Sequence, residues 1–434
     1  MGCGVAEVSL LERFEGRLPQ KLSLIGLVMM AIGAPTSSSL FGLGSLLLVF
    51  CLLSPAIWRA LRMYWPQFMA GELLGLVALQ LLAFLWAIAP LNDALDTWFR
   101  YSKLLLIPVV GLVIATAPRV RSVIWGVFIG HGLLLALVYG NYFLDIPWAI
   151  SAGGSLFTDH SIFTDYIAET CSHVFFFIAV IAMAKHAQSD PRMAPASQYR
   201  SLICCVVAGL IAFGVLALTQ GRGGQVAFFA VALAVGYQWL GREIGLRANT
   251  FALSAGAVFI AAVVFFVLNP NMQRGFHELM SYEGHDVSGT SWGIRVGLVE
   301  VAWKAFTAQP WFGYGTGSWH VLADGAYNNS VILEVARVFP NNQLAHFSVE
   351  LGLLGALWFV IFLVRFYLLT IHSQQVHAVK LFSVGVLLLF VLDSIFHAAW
   401  FRSGERETFI LAFGLALGFA ARPLIVDRRR NSDD

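Results

Sequence analysis

The chain is predicted to be an all-α polytopic membrane protein, and three observations carry that reading. Its 434 residues are 58% hydrophobic and only 12% charged, where soluble domains run near roughly 25% charged. Apolar runs long enough to cross about 30 Å of hydrocarbon recur along the sequence. These runs are continuous rather than alternating, which selects helices over a closed barrel.

About twelve spans are expected, near 20–35, 38–57, 69–90, 102–117, 122–142, 162–184, 201–218, 224–240, 248–268, 343–366, 381–397 and 408–426. The polar breaks between them alternate in character. One set contains "ERFEGRLPQK", "RALR", "RVR", "KHAQSDPRMAPASQYR", "GREIGLR", "HSQQVHAVK" and "DRRRNSDD"; its excess of Lys and Arg places it, and both termini, in the cytoplasm. The other set contains "LNDALDTWFRYSK", "LDIPWAISAGGSLFTDH", "TQGRGGQ", "FHAAWFRSGERE" and one long loop, 269–342, between spans nine and ten. Residues 1–434 are expected to form a single membrane domain capped by that loop. The opening "MGCGVAEVSLLERFEGRLPQK" lacks an early apolar core with a cleavage site, and Ala6 spoils a myristoylation pattern, so the first span is expected to be retained.

The net charge of +2 is scattered between spans, which argues against a nucleic-acid partner. Cys3, Cys51, Cys171, Cys204 and Cys205 lie in apolar runs or at the N-terminus, without disulfide or zinc spacing.

The outward set holds Arg222, Arg100, Lys103, Arg274, Arg295, Lys304, Arg337, Arg402 and Arg406, on the face where basic residues are least expected. Outward positive charge at helix ends suggests an anion held at the membrane interface. Arg222 stands in "LALTQGRGGQVAFF", where the glycines would allow a tight turn and the helix start itself favours an anion. The long loop is not disordered in composition. "SWGIRVGLVEVAWKAFTAQP" puts Ile294, Leu298, Val301 and Ala305 on one helical face, with Arg295, Trp303 and Lys304 elsewhere, as in an amphipathic helix on the membrane rim. In "WFGYGTGSW", glycines alternate with aromatics; Trp303, Trp311, Tyr314 and Trp319 are either interface anchors or sugar platforms. "SVILEVARVF" reads as a second short amphipathic stretch before "NNQLAHFSVELGLLG" returns to the membrane. The outer breaks contain no compact metal-ligating cluster beyond "TDH", 158–160, so neither metal nor cofactor is expected. Asp165, Glu169 and His173 recur at every fourth residue, and such an intramembrane stripe would also suit a proton-coupled transporter or lipid-glycan flippase. No matched pair of broken helices supports that reading.

Three elements together resemble the O-antigen ligase and Wzy polymerase superfamily of bacterial membrane glycosyltransferases: "LTQGRGG", "IRVGLVEVAWKAFTAQPWFGYGTGSW" and "PNNQLAHFSVELGLLG". The family pattern is a Thr, a small polar residue and an Arg; then an Arg-bearing helix ending in Pro and a Gly-x-Gly turn; then a His-Asn pair nine residues ahead of G-x-x-G. Here Asn341 stands where the family has its histidine, with Asn342 as partner and His346 one helical turn further on. Either His346 reaches the same spot from the next turn, or the histidine is dispensable.

The resemblance implies a GT-C-like fold and an O-antigen ligase of the Gram-negative inner membrane working at the periplasmic face. It would transfer a glycan from undecaprenyl pyrophosphate to a sugar hydroxyl of lipid A-core, completing lipopolysaccharide. An O-antigen polymerase or a protein O-oligosaccharyltransferase would need the same donor chemistry. Beyond donor, acceptor and membrane lipids, no protein partner is implied. Charge building on the departing pyrophosphate needs compensation, which Arg222 and Arg295 would supply bidentately without metal. His346 would take the acceptor proton, with Asn341 and Asn342 positioning sugar hydroxyls. Arg100 and Lys103 would hold donor phosphate or a phosphorylated acceptor; Trp303 and Tyr314 would contact sugar.

Overall fold

The computed structural model describes residues 18–433 except 118, 152–153, 190–193, 244–247, 282–289, 327–338 and 374–376. The stretch expected to be amphipathic over 330–339, with Arg337, therefore falls outside the described residues except for Phe339, as do Cys3 and the rest of the segment before Leu18. Among the described residues all regular structure is helical. The first six α-helices are α1 (Leu18–Thr36), α2 (Ser38–Cys51), α3 (Pro55–Met63), α4 (Ala70–Leu82), α5 (Leu91–Ser102) and α6 (Leu106–Thr116). The next five are α7 (Val120–Leu144), α8 (Tyr166–Ser189), α9 (Ala194–Ala217), α10 (Arg222–Glu243) and α11 (Ala248–Leu268). Then come α12 (Pro270–Met280), α13 (Ser291–Ala308), α14 (Trp319–Ala326), α15 (Gln343–Ile371), α16 (His377–Phe396) and α17 (Ser403–Asp433).

The expected spans overlap helices, but the one at 38–57 is interrupted at 52–54 between α2 and α3, and the one at 69–90 ceases to be helical after Leu85. Among the described residues seven helices are long and apolar enough to cross a membrane, and shorter apolar helices cover Ser38–Cys51 and Ala70–Leu85. The chain is thus a multi-pass membrane protein. α5 and α6 run on through a 3₁₀ turn as one span, Leu91–Thr116, so the expected outer break at 91–103 is itself helical. Residues 258–280 form a pair of helices bent by 87° between α11 and α12, the geometry of a broken span or a re-entrant loop. Asn269 makes that break, its side chain capping α12 through the backbone N–H groups of Asn271 and Met272, with Pro270 at the first helical position.

α17 packs along α6, α8 and α16, and α15 along α16. Between them Trp400, Phe390, Phe413, Phe362, Phe366 and Phe409 are fully buried and meet mostly edge to face. In lipid such packing rests on dispersion contacts rather than on water exclusion. The turn 398–402 contributes Trp400 to this aromatic block, and charged side chains surround that turn.

α13 is helical and buries one face, but Val299 and Trp303 on its exposed side make it far less amphipathic than expected, and the buried face has another use. Leu298, Ala302 and Ala305 pack against Trp319 and Val349, while Trp303 and Lys304 stay exposed. Covering the protein itself removes that face from the membrane rim.

The glycine-rich loop after α13 is fixed by a kink. Gly352, inside α15, has φ 64 and ψ −152, which interrupts the i to i−4 ladder. The carbonyls of Val349 and Glu350 then accept from Tyr314 N–H (2.9 Å) and Gly315 N–H (2.8 Å), and Pro310 O accepts from Leu353 N–H (2.7 Å). On its other side the loop meets the end of the α4 span: Ile88 N–H donates to Tyr314 O at 3.1 Å, and Thr316 Oγ1 donates to Gln80 O at 2.6 Å. A Cβ on Gly315 would lie 2.3 Å from Ala87 Cα, so no other residue fits there without displacing backbone.

Candidate functional site

Two groups of charged side chains flank the turn 398–402. The first gathers three arginines. Arg222 opens α10 and is held by Glu278 of α12, Nη1 to Oε2 at 3.1 Å. A Cβ on Gly275 would fall 2.8 Å from Arg222 Nη1, so α12 folds back flush against the guanidinium. Arg402 donates from Nη2 to Asp165 Oδ2 at 2.5 Å and lies 3.6 Å from Glu405 Oε1. Arg295 of α13 lies within electrostatic reach of both: burial first, then Arg222 and Arg402, lower its pKa, against Tyr166 and Glu278. Burial also acts to lower the pKa of Arg402, but Glu405, Asp165 and Asp393 outweigh it and hold the group above the usual arginine value. Four stretches distant in sequence, the starts of α8 and α10, α12 with α13, and the turn before α17, thus meet around one set of guanidinium groups.

The glycines beside Arg222 were expected to shape a turn. Neither Gly223 nor Gly224 has a positive φ; both are helical and serve close approach instead. A Cβ on Gly224 would lie 2.4 Å from Thr170 Cγ2, and one on Gly223 would lie 3.3 Å from His397 Cε1. Gln225 secures the preceding bend by donating to Thr219 O and Val215 O.

Below Arg402, Asp393, His397 and Glu405 bring one potential ligand atom each to within 4.8 Å of one another. This corrects the expectation that the outer breaks hold no metal-ligating cluster beyond residues 158–160, since the side chains come from α16, the turn and α17 rather than from one compact motif. Arg402 already supplies a cation to the cluster, and His397 Nδ1 lies 3.1 Å from Asp393 Oδ1. Burial pushes the His397 pKa down to about 4, against the pull of Glu405, and Arg402 and Arg295 act in the same direction as burial.

The second group lines a cleft of about 230 Å³ between α5, the glycine loop and α15. Arg100 is paired with Asp96 one turn earlier, Nε to Oδ2 at 2.8 Å, and its guanidinium carbon lies 4.6 Å from the Phe401 ring centre. His320 of α14 places Nδ1 at 2.7 Å from Gly317 O and Nε2 at 3.0 Å from Asp93 Oδ2. His346 floors the cleft, 1% exposed. Gln343 Nε2 donates to Tyr101 Oη (3.0 Å), which leaves the Tyr101 hydroxyl to donate to His346 Nδ1 (2.9 Å). His346 Nε2–H then donates to Glu350 Oε1 at 3.1 Å, which also accepts from Gly317 N–H at 2.9 Å. Both imidazole nitrogens of His346 are therefore engaged. Gln343 Oε1 accepts from Trp400 N–H at 2.9 Å, tying this chain of bonds to the turn. Phe401 and Phe339 stand between the two groups, with Arg402 5.7 Å from the Phe339 ring centre.

Arg222 and Arg295 come together, as do Arg100 and His346, in the two separate groups. Lys103, exposed in the 3₁₀ turn after α5, neighbours Arg100 and Arg406. Asn342 caps α15, its Oδ1 accepting from Ala345 N–H, and its amide donates to Ile395 O. Asn341 precedes it at φ 52, a left-handed conformation that asparagine tolerates well. Asn342 and His346 consequently reach toward different neighbours, α16 and the cleft. Tyr314 contributes backbone bonds to the loop, whereas Trp303 is 63% exposed beside Phe306 and lies outside the cleft lining. The Asp165, Glu169, His173 stripe does not act as one unit. Asp165 binds Arg402, and Glu169 Oε2 accepts from Ile162 N–H, while His173 is fully buried further along α8.

Sequence reasoning did not single out Glu278, Asp93, Asp96, Tyr101, His320, Glu350, Asp393, His397 or Glu405. Several carried a readable signal in their spacing: Asp96 and Arg100, His346 and Glu350, and Asp393 and His397 are each four apart on a helix. Glu278 and His320 carried none.

Residues 207–360 match a family model described as O-antigen ligase. The match spans α10 with Arg222, α13 with Arg295 and the start of α15 with His346. A search of curated proteins gave no match.

Proposed function

Since the chain belongs to the O-antigen ligase and polymerase superfamily, whose members act on lipid-linked glycans, we propose that it is an O-antigen ligase. It transfers a glycan from undecaprenyl pyrophosphate to a sugar hydroxyl of lipid A-core at the periplasmic face of the Gram-negative inner membrane.

The observation that carries this reading is the convergence of Arg222, Arg295 and Arg402 from distant elements. Guanidinium forks match phosphate oxygens bidentately and stay protonated at any working pH. As the anomeric carbon–oxygen bond breaks, its electron pair leaves on the pyrophosphate, and the arginines stabilise that charge. The acceptor oxygen attacks from the opposite face, in the direction of the cleft beneath Phe401, and inverts the anomeric centre. No step requires a metal. A polymerase or a protein O-oligosaccharyltransferase would use the same donor chemistry with another acceptor.

The test is reconstitution of the purified protein in vesicles with undecaprenyl-pyrophosphate glycan and EDTA, offering in turn lipid A-core, a second donor molecule or a pilin-like protein. Transfer to lipid A-core is expected. Movement of donor across the vesicle with transfer to none of the acceptors would overturn the reading.

A further inference from the structure

The cleft between α5 and the glycine loop has no role in donor binding as described above, yet it is built for a ligand. Its volume, about 230 Å³, lies below the roughly 300–1,000 Å³ of clefts for drug-sized molecules and suits a single sugar ring. The walls combine the two surfaces that a pyranose presents. Phe401 and Trp319 offer apolar area, and Asp93, Asp96 and Arg100 offer acceptors and donors for hydroxyl groups.

We propose that this cleft seats the terminal sugar of the acceptor, that the sugar is unphosphorylated, and that His320 is the base that deprotonates the attacking hydroxyl. This rests on the ligase reading and deepens it.

His320 fits the role by geometry. Gly317 O lies 2.7 Å from Nδ1, so that nitrogen carries a hydrogen, and the contact of Nε2 with the Asp93 carboxylate holds a second one, so Nε2 offers its lone pair to a hydroxyl only after Asp93 has turned aside and that hydrogen has left. Asp93, 3.0 Å from Nε2, is half exposed and has room to turn aside for a hydroxyl. His346 has no such opening: Tyr101 and Glu350 occupy both its nitrogens. It is a positioning residue, joining α5, α15 and, through Glu350, the loop that leads into α14 and His320. In the reaction the acceptor O–H bond breaks and its proton passes to His320 Nε2. The oxygen bonds to the anomeric carbon, and the carbon–oxygen bond to pyrophosphate breaks with its electron pair on the leaving group. The imidazolium so formed pairs with Asp93 until water removes the proton.

The preference for an unphosphorylated sugar follows from charge. Among the described residues three carboxylates, Asp93, Asp96 and Glu350, line the cleft, and the one permanent cation among them, Arg100, is already paired with Asp96. A phosphate there would meet anions; neutral vicinal hydroxyls would meet bidentate acceptors.

The experiment uses the full-length protein in vesicles with labelled donor, a synthetic glucosyl lipid and its 6-phosphate as acceptors. Binding of methyl glucoside without donor is followed separately by saturation-transfer NMR. Expected are kcat/KM at least about 100-fold higher for the glucosyl lipid than for its 6-phosphate, and loss of kcat of about 100- to 10,000-fold in His320→Ala. The acceptor KM should stay near normal and added imidazole should restore part of the rate, neither of which a merely misfolded variant would show. His320→Gln should behave likewise, and Asp96→Asn should raise the acceptor KM. Normal kcat in both His320 variants, or equal use of the phosphorylated lipid, would overturn the proposal. Arg222→Ala should lose transfer yet still bind methyl glucoside. If the wild type binds methyl glucoside, with Asp96→Asn weakening it, but transfers to no acceptor, the ligase reading fails and the sugar cleft stands. If it transfers to lipid A-core while methyl glucoside does not bind and His320 is dispensable, the cleft assignment fails alone.

Discussion

Arg222 and Arg295 reach one place from helices more than seventy positions apart in sequence, and each makes a separate prediction. Arg222→Ala and Arg295→Ala should each lower transfer by about 100- to 1,000-fold, the usual cost of one donor aimed at developing charge. Folded yield should be unchanged, which rate measurements on monodisperse protein would check. His397 predicts a pH effect on stability. Burial holds its pKa at about 4 against a usual 6.5, so as pH falls the unfolded chain takes up this proton first. Stability is unaffected by His397 above about pH 6.5 and declines as pH falls from there to about 4, by up to about 3 kcal/mol for this group. His397→Gln should flatten that part of the melting-temperature profile in detergent. Much of the arginine cluster was legible in the sequence, because basic residues in breaks expected to face outward are conspicuous. Its carboxylate partners were not. Glu278 meets Arg222 only because α12 doubles back, and a bend at Asn269 is invisible to hydropathy.

At the scale of elements, the kink in α15 is what joins the loop to the membrane domain. Gly352→Ala would place a Cβ 2.5 Å from the Trp311 carbonyl carbon at φ 64, adding strain of about 1–3 kcal/mol beyond the steric clash. The expected outcome is a lower melting temperature and faster proteolysis within 311–318. Gly209→Ala, where a Cβ meets nothing within 4 Å, should leave both unchanged. Many helix positions were readable because a long apolar run needs only a length rule. The spacing of Leu298 and Ala305 in α13 was readable too, but spacing reports a buried face without naming what covers it, and here Trp319 and Val349 cover it. The helical 91–102 segment was hidden for the converse reason: its polar face, with Asp93, Asp96 and Arg100, lines a cleft and so reads as an extramembrane break.

For the molecule as a whole, the side on which these groups lie rests on the alternation of charge in the breaks, and labelling tests it. In intact spheroplasts a membrane-impermeant maleimide should modify Ser155→Cys, and should modify Arg121→Cys only after lysis; both positions are exposed. The opposite pattern would invert the topology. On the proposed function, the carboxylates that hold Arg222 and Arg402 acquire a purpose at this scale. A site at the membrane surface is bathed in phosphodiester headgroups, each carrying one negative charge. Guanidinium groups that already have Glu278 and Asp165 as partners gain little by trading them for a single phosphate, whereas a pyrophosphate brings two phosphates to the cluster at once. The pairs act as a threshold rather than as glue. Glu278→Gln should accordingly weaken discrimination, so that anionic lipid in the vesicles competes with donor and raises its apparent KM.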